Sequence, residues 1–143
     1  MNRTTTLAAW AVRLALAASF LSAVADRFGL WGPLGAAGVA WGNVAQYESY
    51  AGTLLWFLPA ALVPAFGWAA TVAETLIALG LLWGWRLRWF ALAAAALLAL
   101  FAIAMTAALG VKSPLDYSVF TAASAAFLLS CISPPTDASA QPM

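Results

Sequence analysis

Residues Phe66 to Leu109 read FGWAATVAETLIALGLLWGWRLRWFALAAAALLALFAIAMTAAL. Two apolar runs, Phe66 to Trp85 and Trp89 to Leu109, flank a tight basic turn that carries Arg86 and Arg88. Each run has the roughly 20 residues that a helix needs to cross the hydrocarbon of a bilayer. The first run holds one charge, Glu74, near its middle, and the second holds none. The stretch predicts a helical hairpin within a membrane.

Upstream, Leu7 to Ala25 is a further candidate span, interrupted by Arg13. Asp26 to Tyr50 is polar, aromatic and glycine-rich, too broken to cross. Leu54 to Pro64 is apolar but only about 11 residues long, which suits an interfacial or re-entrant segment, or the proline-kinked outer end of the following span. Downstream, Gly110 reads as a helix C-cap. Ser113 and Pro114 read as the N-cap and first residue of a fourth helix running to about Ile132, with Asp116 as its first-turn carboxylate. Ser133, Pro134 and Pro135 end it, and residues 134–143 read as a disordered cytoplasmic tail. The expected fold is all-α: one polytopic four-helix membrane bundle over residues 1–133, with an outer loop or re-entrant segment between helices 1 and 2.

Composition agrees. Of 143 residues, 65% are hydrophobic and 8% charged, and mean hydropathy is +0.92. Soluble domains carry about 25% charged residues, and a soluble fold with so few could not cover its surface. A net charge of +1 gives no footprint for nucleic acid. Without histidine, and with Cys131 the single cysteine, the chain has no usual haem or zinc ligand set, no CxxC pair and no intrachain disulfide. No metal site is expected, and any electron transfer would need a bound organic cofactor or a partner subunit.

Arg3 precedes the first span and Arg86 and Arg88 lie between the second and third. With four spans these share one side, which the positive-inside rule makes cytoplasmic, so both termini are expected there. Trp83, Trp85 and Trp89 bracket the basic turn as an interfacial belt. Ala23-Val24-Ala25 resembles a signal cleavage site, but Arg13 falls within what would be its apolar core, so a retained first helix is expected.

Charges within a bilayer are costly and usually face the bundle interior or water. Glu74 sits near the midplane. Arg13 lies roughly 10 Å inside its span and is able to snorkel toward the helix N-terminus. The two would form an ion pair only if helix tilt closed a depth difference of several ångströms. The alternative for Glu74 is a buried acid bonded to Thr71 or to a backbone carbonyl. A second, outer polar cluster gathers Asp26, Arg27, Trp41, Asn43, Lys112, Asp116 and Tyr117, with Tyr47 and Glu48 close by. If the first helix continues past Ala25, Arg27 falls near the face of Arg13. This cluster is either a site or a solvated loop with weak salt bridges. The small residues Gly80 and Gly84, and Ala91, Ala95 and Ala99, permit close helix approach, within the bundle or across an oligomer face.

These motifs have a familiar order: Ala25-Asp26-Arg27-Phe28-Gly29-Leu30-Trp31-Gly32, Val39-Ala40-Trp41-Gly42, Leu58-Pro59, Ala70-Thr71-Val72-Ala73-Glu74, Gly80-Leu81-Leu82-Trp83-Gly84, and Gly110-Val111-Lys112-Ser113-Pro114-Leu115-Asp116-Tyr117. The chain up to about Leu129 resembles the DoxX-like family of small bacterial integral membrane proteins. The resemblance implies a four-helix fold in the cytoplasmic membrane. It also implies an association with thiosulfate:quinone oxidoreduction or other membrane oxidoreductase complexes, with a quinone as the cofactor to consider. It carries no catalytic role onto Arg13, Asp26, Arg27, Glu74, Lys112 or Asp116. A non-catalytic membrane partner, and a small transporter using Glu74, are the competing functions; the internal repeat expected of many transporters is not visible.

Overall fold

A computed structural model describes residues 2–133 of the chain. Its elements are α1 (Arg3–Arg27), α2 (Val44–Leu54), a 3-10 turn (Ala60–Leu62), α3 (Val63–Trp83), α4 (Leu87–Leu109), α5 (Lys112–Asp116) and α6 (Val119–Ile132). Among the described residues there is no strand. Three stretches are long and apolar enough to cross a membrane: Arg3–Arg27, Ala60–Trp83 and Leu87–Leu109. α6 is apolar but has 14 residues, or about 21 Å of helix. The expected 134–143 tail lies outside the described residues.

Local chemistry sets the helix ends. The Asn2 side chain accepts from the Thr5 amide at 2.8 Å and starts α1. α1 then runs past Ala25, the expected end, through Asp26 and Arg27. α3 and α4 stop at Gly84 and Gly110, both at positive φ, where a side chain would be strained. Leu54–Pro64 divides: α2 ends at Leu54, and after Pro59 the 3-10 turn feeds directly into α3, with Pro64 in its first turn where the missing N–H costs nothing. The apolar residues before Phe66 thus extend the second span.

The fourth helix departs from its expected form. It begins at Lys112 rather than Pro114, and breaks at Tyr117 and Ser118 into α5 and α6. Ser118 has φ +55°, a left-handed conformation that ends one helix and caps the next. Asp116 is therefore the last residue of α5, not a first-turn acid of a long helix.

α1 packs along α3, and α4 along α6, and the two pairs meet over Leu16, Ala17, Phe20, Ile77, Leu81, Ala91, Ala94, Ala126 and Leu129. The small residues are used inside this packing. A Cβ at Gly80 would stand 2.2 Å from the Phe90 ring. Ala91 and Ala95 are buried, while Ala99 is exposed. The exterior carries Leu7, Leu14, Leu76, Leu79, Leu100, Ile103 and Leu128, an apolar surface of the kind that lipid tolerates and water does not.

Candidate functional site

α1 buries two arginines. Arg13 and Arg27 stand fourteen residues apart, about 21 Å along the axis and close to one helical face. Both are less than a tenth exposed, and both face α3.

Arg27 is the partner of Glu74. Its Nη2 donates to Glu74 Oε1 at 2.8 Å and its Nη1 donates to Thr71 Oγ1 at 2.8 Å. Thr71 donates in turn to the Gly67 carbonyl at 2.9 Å. Thr71 and Glu74 share a face by their i,i+3 spacing, so α3 presents one hydroxyl and one carboxylate to one guanidinium. The Arg13–Glu74 pair considered from sequence is replaced by this one because α1 continues as helix to Arg27, which removes the depth mismatch. Glu74 is also not bonded to Thr71; the guanidinium joins both.

The neighbouring Asp26 faces the other way, into the loop. Its Oδ2 accepts from the amides of Ala40 at 2.8 Å and Trp41 at 3.3 Å, and its Oδ1 from Gly42 at 3.0 Å. Gly42 has φ +70°, and a Cβ there would stand 2.5 Å from the Leu34 nitrogen, so the loop closes only with glycine. The fastened loop delivers the Trp41 ring to 5.4 Å from the Arg27 guanidinium carbon. Asn43 then caps α2 by accepting from the Gln46 amide, and α2 lays the Tyr47 ring on Arg27 at 3.9 Å. Trp41 and Tyr47 meet edge to face at 5.2 Å. Gly67 makes room for Tyr47, since a Cβ there would lie 3.3 Å from its Cε1. Burial pushes the Tyr47 phenol above its ordinary range, with Arg27 acting in the opposite sense. Tyr50 is raised by burial and then by Tyr117.

Two buried atoms of this cluster have no hydrogen-bond partner among the described residues: Arg27 Nε and Glu74 Oε2. Beside them a cleft between α1, α2 and α3 is lined by Arg27, Tyr47, Glu48, Thr71 and the rings of Phe28 and Trp68. It is small, with room for about one water molecule.

Among the described residues Arg13 meets no carboxylate. Its Nε donates to the Leu81 carbonyl at 2.8 Å and its Nη2 to the Leu82 carbonyl at 3.0 Å. These are among the last carbonyls of α3, which have no partner within the helix. The guanidinium thus caps α3 at the negative end of its dipole, while lying over the Trp10 ring at 3.8 Å.

The outer cluster read from sequence separates. Asp26, Arg27 and Trp41 come together, and Asn43 serves α2. Lys112 and Asp116 pair with each other on the exposed surface of α5, an interaction of small energy. Tyr117 is exposed. The carbonyls of Leu81 and Leu82, and Gly67, join the two arginine sites without any signal in residue type. Among the described residues no three His, Cys, Asp or Glu gather as a metal site. Compared with protein-family models, with curated proteins and with solved structures, the chain finds no match.

Proposed function

We propose that the chain is an accessory subunit of a membrane oxidoreductase complex in a bacterial cytoplasmic membrane, and that its own polar residues hold its shape. In this reading α1, α3, α4 and the broken α5–α6 pair cross the bilayer, both termini are cytoplasmic, and the Gly29–Gly42 loop with α2 covers the outer end. The observation that carries it is the state of Glu74. The carboxylate at the middle of α3 is committed to Arg27 and shut from solvent, and the cleft on the Arg27 side has room for one water. A proton relay or transport path needs a carboxylate that exchanges with water, so the transporter reading has less support. The DoxX-like resemblance supplies the oxidoreductase association.

A quinone contact comes from the same resemblance. Arg27 Nε is a buried donor without a partner among the described residues, beside a cleft rimmed by Phe28 and Trp68. That cleft admits a water and not a ring, so a quinone would meet the chain on its apolar exterior. Extraction in a mild detergent, followed by mass spectrometry of proteins and bound lipids, tests both. Co-elution at fixed stoichiometry with a subunit that bears a redox cofactor is expected, with quinone retained. A chain that purifies alone at its own mass would sink the accessory reading. Reporter fusions at Arg88 and at the C-terminus should both score cytoplasmic; a periplasmic C-terminus would sink the four-span topology.

A further inference from the structure

The charges of the described residues divide by end. The four acids Asp26, Glu48, Glu74 and Asp116 lie in the middle or at the end where α1 finishes, whereas Arg3, Arg13, Arg86 and Arg88 lie at the end where α1 begins and α3 meets α4. No described acid stands at that second end. Arg13 is drawn into it by its bonds to Leu81 and Leu82. Its Nη2 lies so close to Gly84 that a Cβ there would come within 2.6 Å. The fixed guanidinium is therefore seated against the same turn that carries Arg86 and Arg88. Arg86 lies over the Trp85 ring and is exposed. Trp83, Trp85 and Trp89 are all strongly exposed around it, and Trp10 is exposed beside Arg13.

From this juxtaposition we infer that the α3–α4 turn is a binding site for the headgroup of an anionic phospholipid, with the exposed Arg86 and Arg88 around the phosphate, the capped Arg13 behind them, and the tryptophans at the glycerol level. Charge complementarity selects the occupant. With no carboxylate at that end among the described residues, the guanidiniums of Arg86 and Arg88 leave positive charge to be neutralised, and arginine forks match phosphate oxygens. The ring of exposed tryptophans sets the site at headgroup depth, where each basic residue contributes about five-fold in affinity for anionic lipid. The inference rests on the membrane reading of the proposed function, but not on the oxidoreductase association.

The test reconstitutes the full chain in phosphatidylcholine vesicles and follows tryptophan fluorescence. Brominated phosphatidylglycerol or brominated phosphatidylcholine is added at equal mole fraction. The anionic quencher should act at several-fold lower mole fraction. The excess should vanish in high salt, and in the Arg86→Gln, Arg88→Gln double variant, whose changed side chains are exposed and leave the Arg13 cap intact. Equal quenching by the two lipids, or an excess that persists in the double variant, would overturn the site. Flotation of the vesicles after alkaline wash is read in parallel. A chain that does not float would overturn the membrane reading itself, an outcome distinct from floating without lipid preference.

Discussion

Arg13 and Arg27 share a helix, a face and a depth of burial, and each lies against an aromatic ring of its own, yet they solve the same problem in opposite ways. Arg27 is neutralised by a carboxylate and keeps one donor over. Arg13 has no counter-charge among the described residues and relies on two carbonyls at the negative end of a helix. The difference follows from α3. At its middle every carbonyl is used by the helix itself, so only a side chain can answer a guanidinium. At its end the carbonyls are free. A buried arginine therefore does not by itself imply a buried acid; position along the facing helix decides.

The strongest test of this contrast is Glu74→Gln. It keeps the shape of the side chain but leaves Arg27 as a buried charge with no counter-ion. A loss of about 3–5 kcal/mol is expected, read as a lower unfolding midpoint in detergent and lower folded yield. Arg27→Gln should cost less, because a lone carboxylate can take up a proton while a guanidinium stays ionised. The double variant should be less damaged than the sum of the two. Unchanged unfolding curves for Glu74→Gln would remove the pair as a structural element.

Arg13→Gln comes second. Two charge-assisted bonds to Leu81 and Leu82 are lost, at about 3 kcal/mol together. The informative variant is Arg13→Gln combined with Glu74→Gln. Glu74 stands seven residues, about 10 Å, from Leu81, so the two losses should add to within about 0.5 kcal/mol. A coupling well above that would restore the direct pair that the fold replaces.

How far the sequence foretold these two sites depends on what each is made of. The hairpin of α3 and α4 was legible in outline, since a basic turn between two apolar runs has few other readings and Gly110 marked its last helix end, but α3 starts at Val63 and ends at Trp83, and α4 starts at Leu87, each two or three residues from the expected bound. Arg27 was legible conditionally. Its face was fixed by its distance from Arg13, but whether the helix outlasted Ala25 was not, because the following Phe28-Gly29 matches a helix end placed at either residue. The partner of Arg13 was invisible, since a free carbonyl carries no residue-type signal. The break at Ser118 was equally hidden. A serine at positive φ is held by its surroundings against local preference, and Pro114 and Asp116 pointed to an uninterrupted helix. Asp26 was read as part of a polar patch, while its task of holding three loop amides depends on contacts fourteen to sixteen residues away.

Asp26→Asn sharpens the contrast at the Arg27 end. An amide offers one acceptor oxygen where the carboxylate offers two, and its NH₂ would face a backbone N–H. A loss of about 2 kcal/mol is expected. Hydrogen exchange should accelerate at Ala40, Trp41 and Gly42 while the amides of α3 near Leu81 remain protected. Uniform acceleration would mean that the loop is not a separate fastening over Arg27.

The smallest expected effect is the most particular. Tyr47→Phe keeps the ring on Arg27 and removes only a hydroxyl whose contact to the Gly67 carbonyl is long, at 3.5 Å. At neutral pH the cost should stay below about 1 kcal/mol. The phenol is nevertheless held above its ordinary value, chiefly by burial. In the unfolded chain it ionises near about pH 10, and in the folded chain at higher pH. Folding thus favours the neutral phenol. That contribution is complete below about pH 10 and is lost as pH rises toward the folded value. The phenylalanine variant has no proton to lose, so the gap between the two proteins should be constant below about pH 10 and then move in favour of the variant. Tyr50 is also raised by burial, so some alkaline loss should remain in both. Chemical unfolding in detergent from pH 8 to 11 reads the difference. Curves that stay parallel to pH 11 would mean that Tyr47 does not seal Arg27 from water, and the cleft would then be open to solvent rather than closed by that ring.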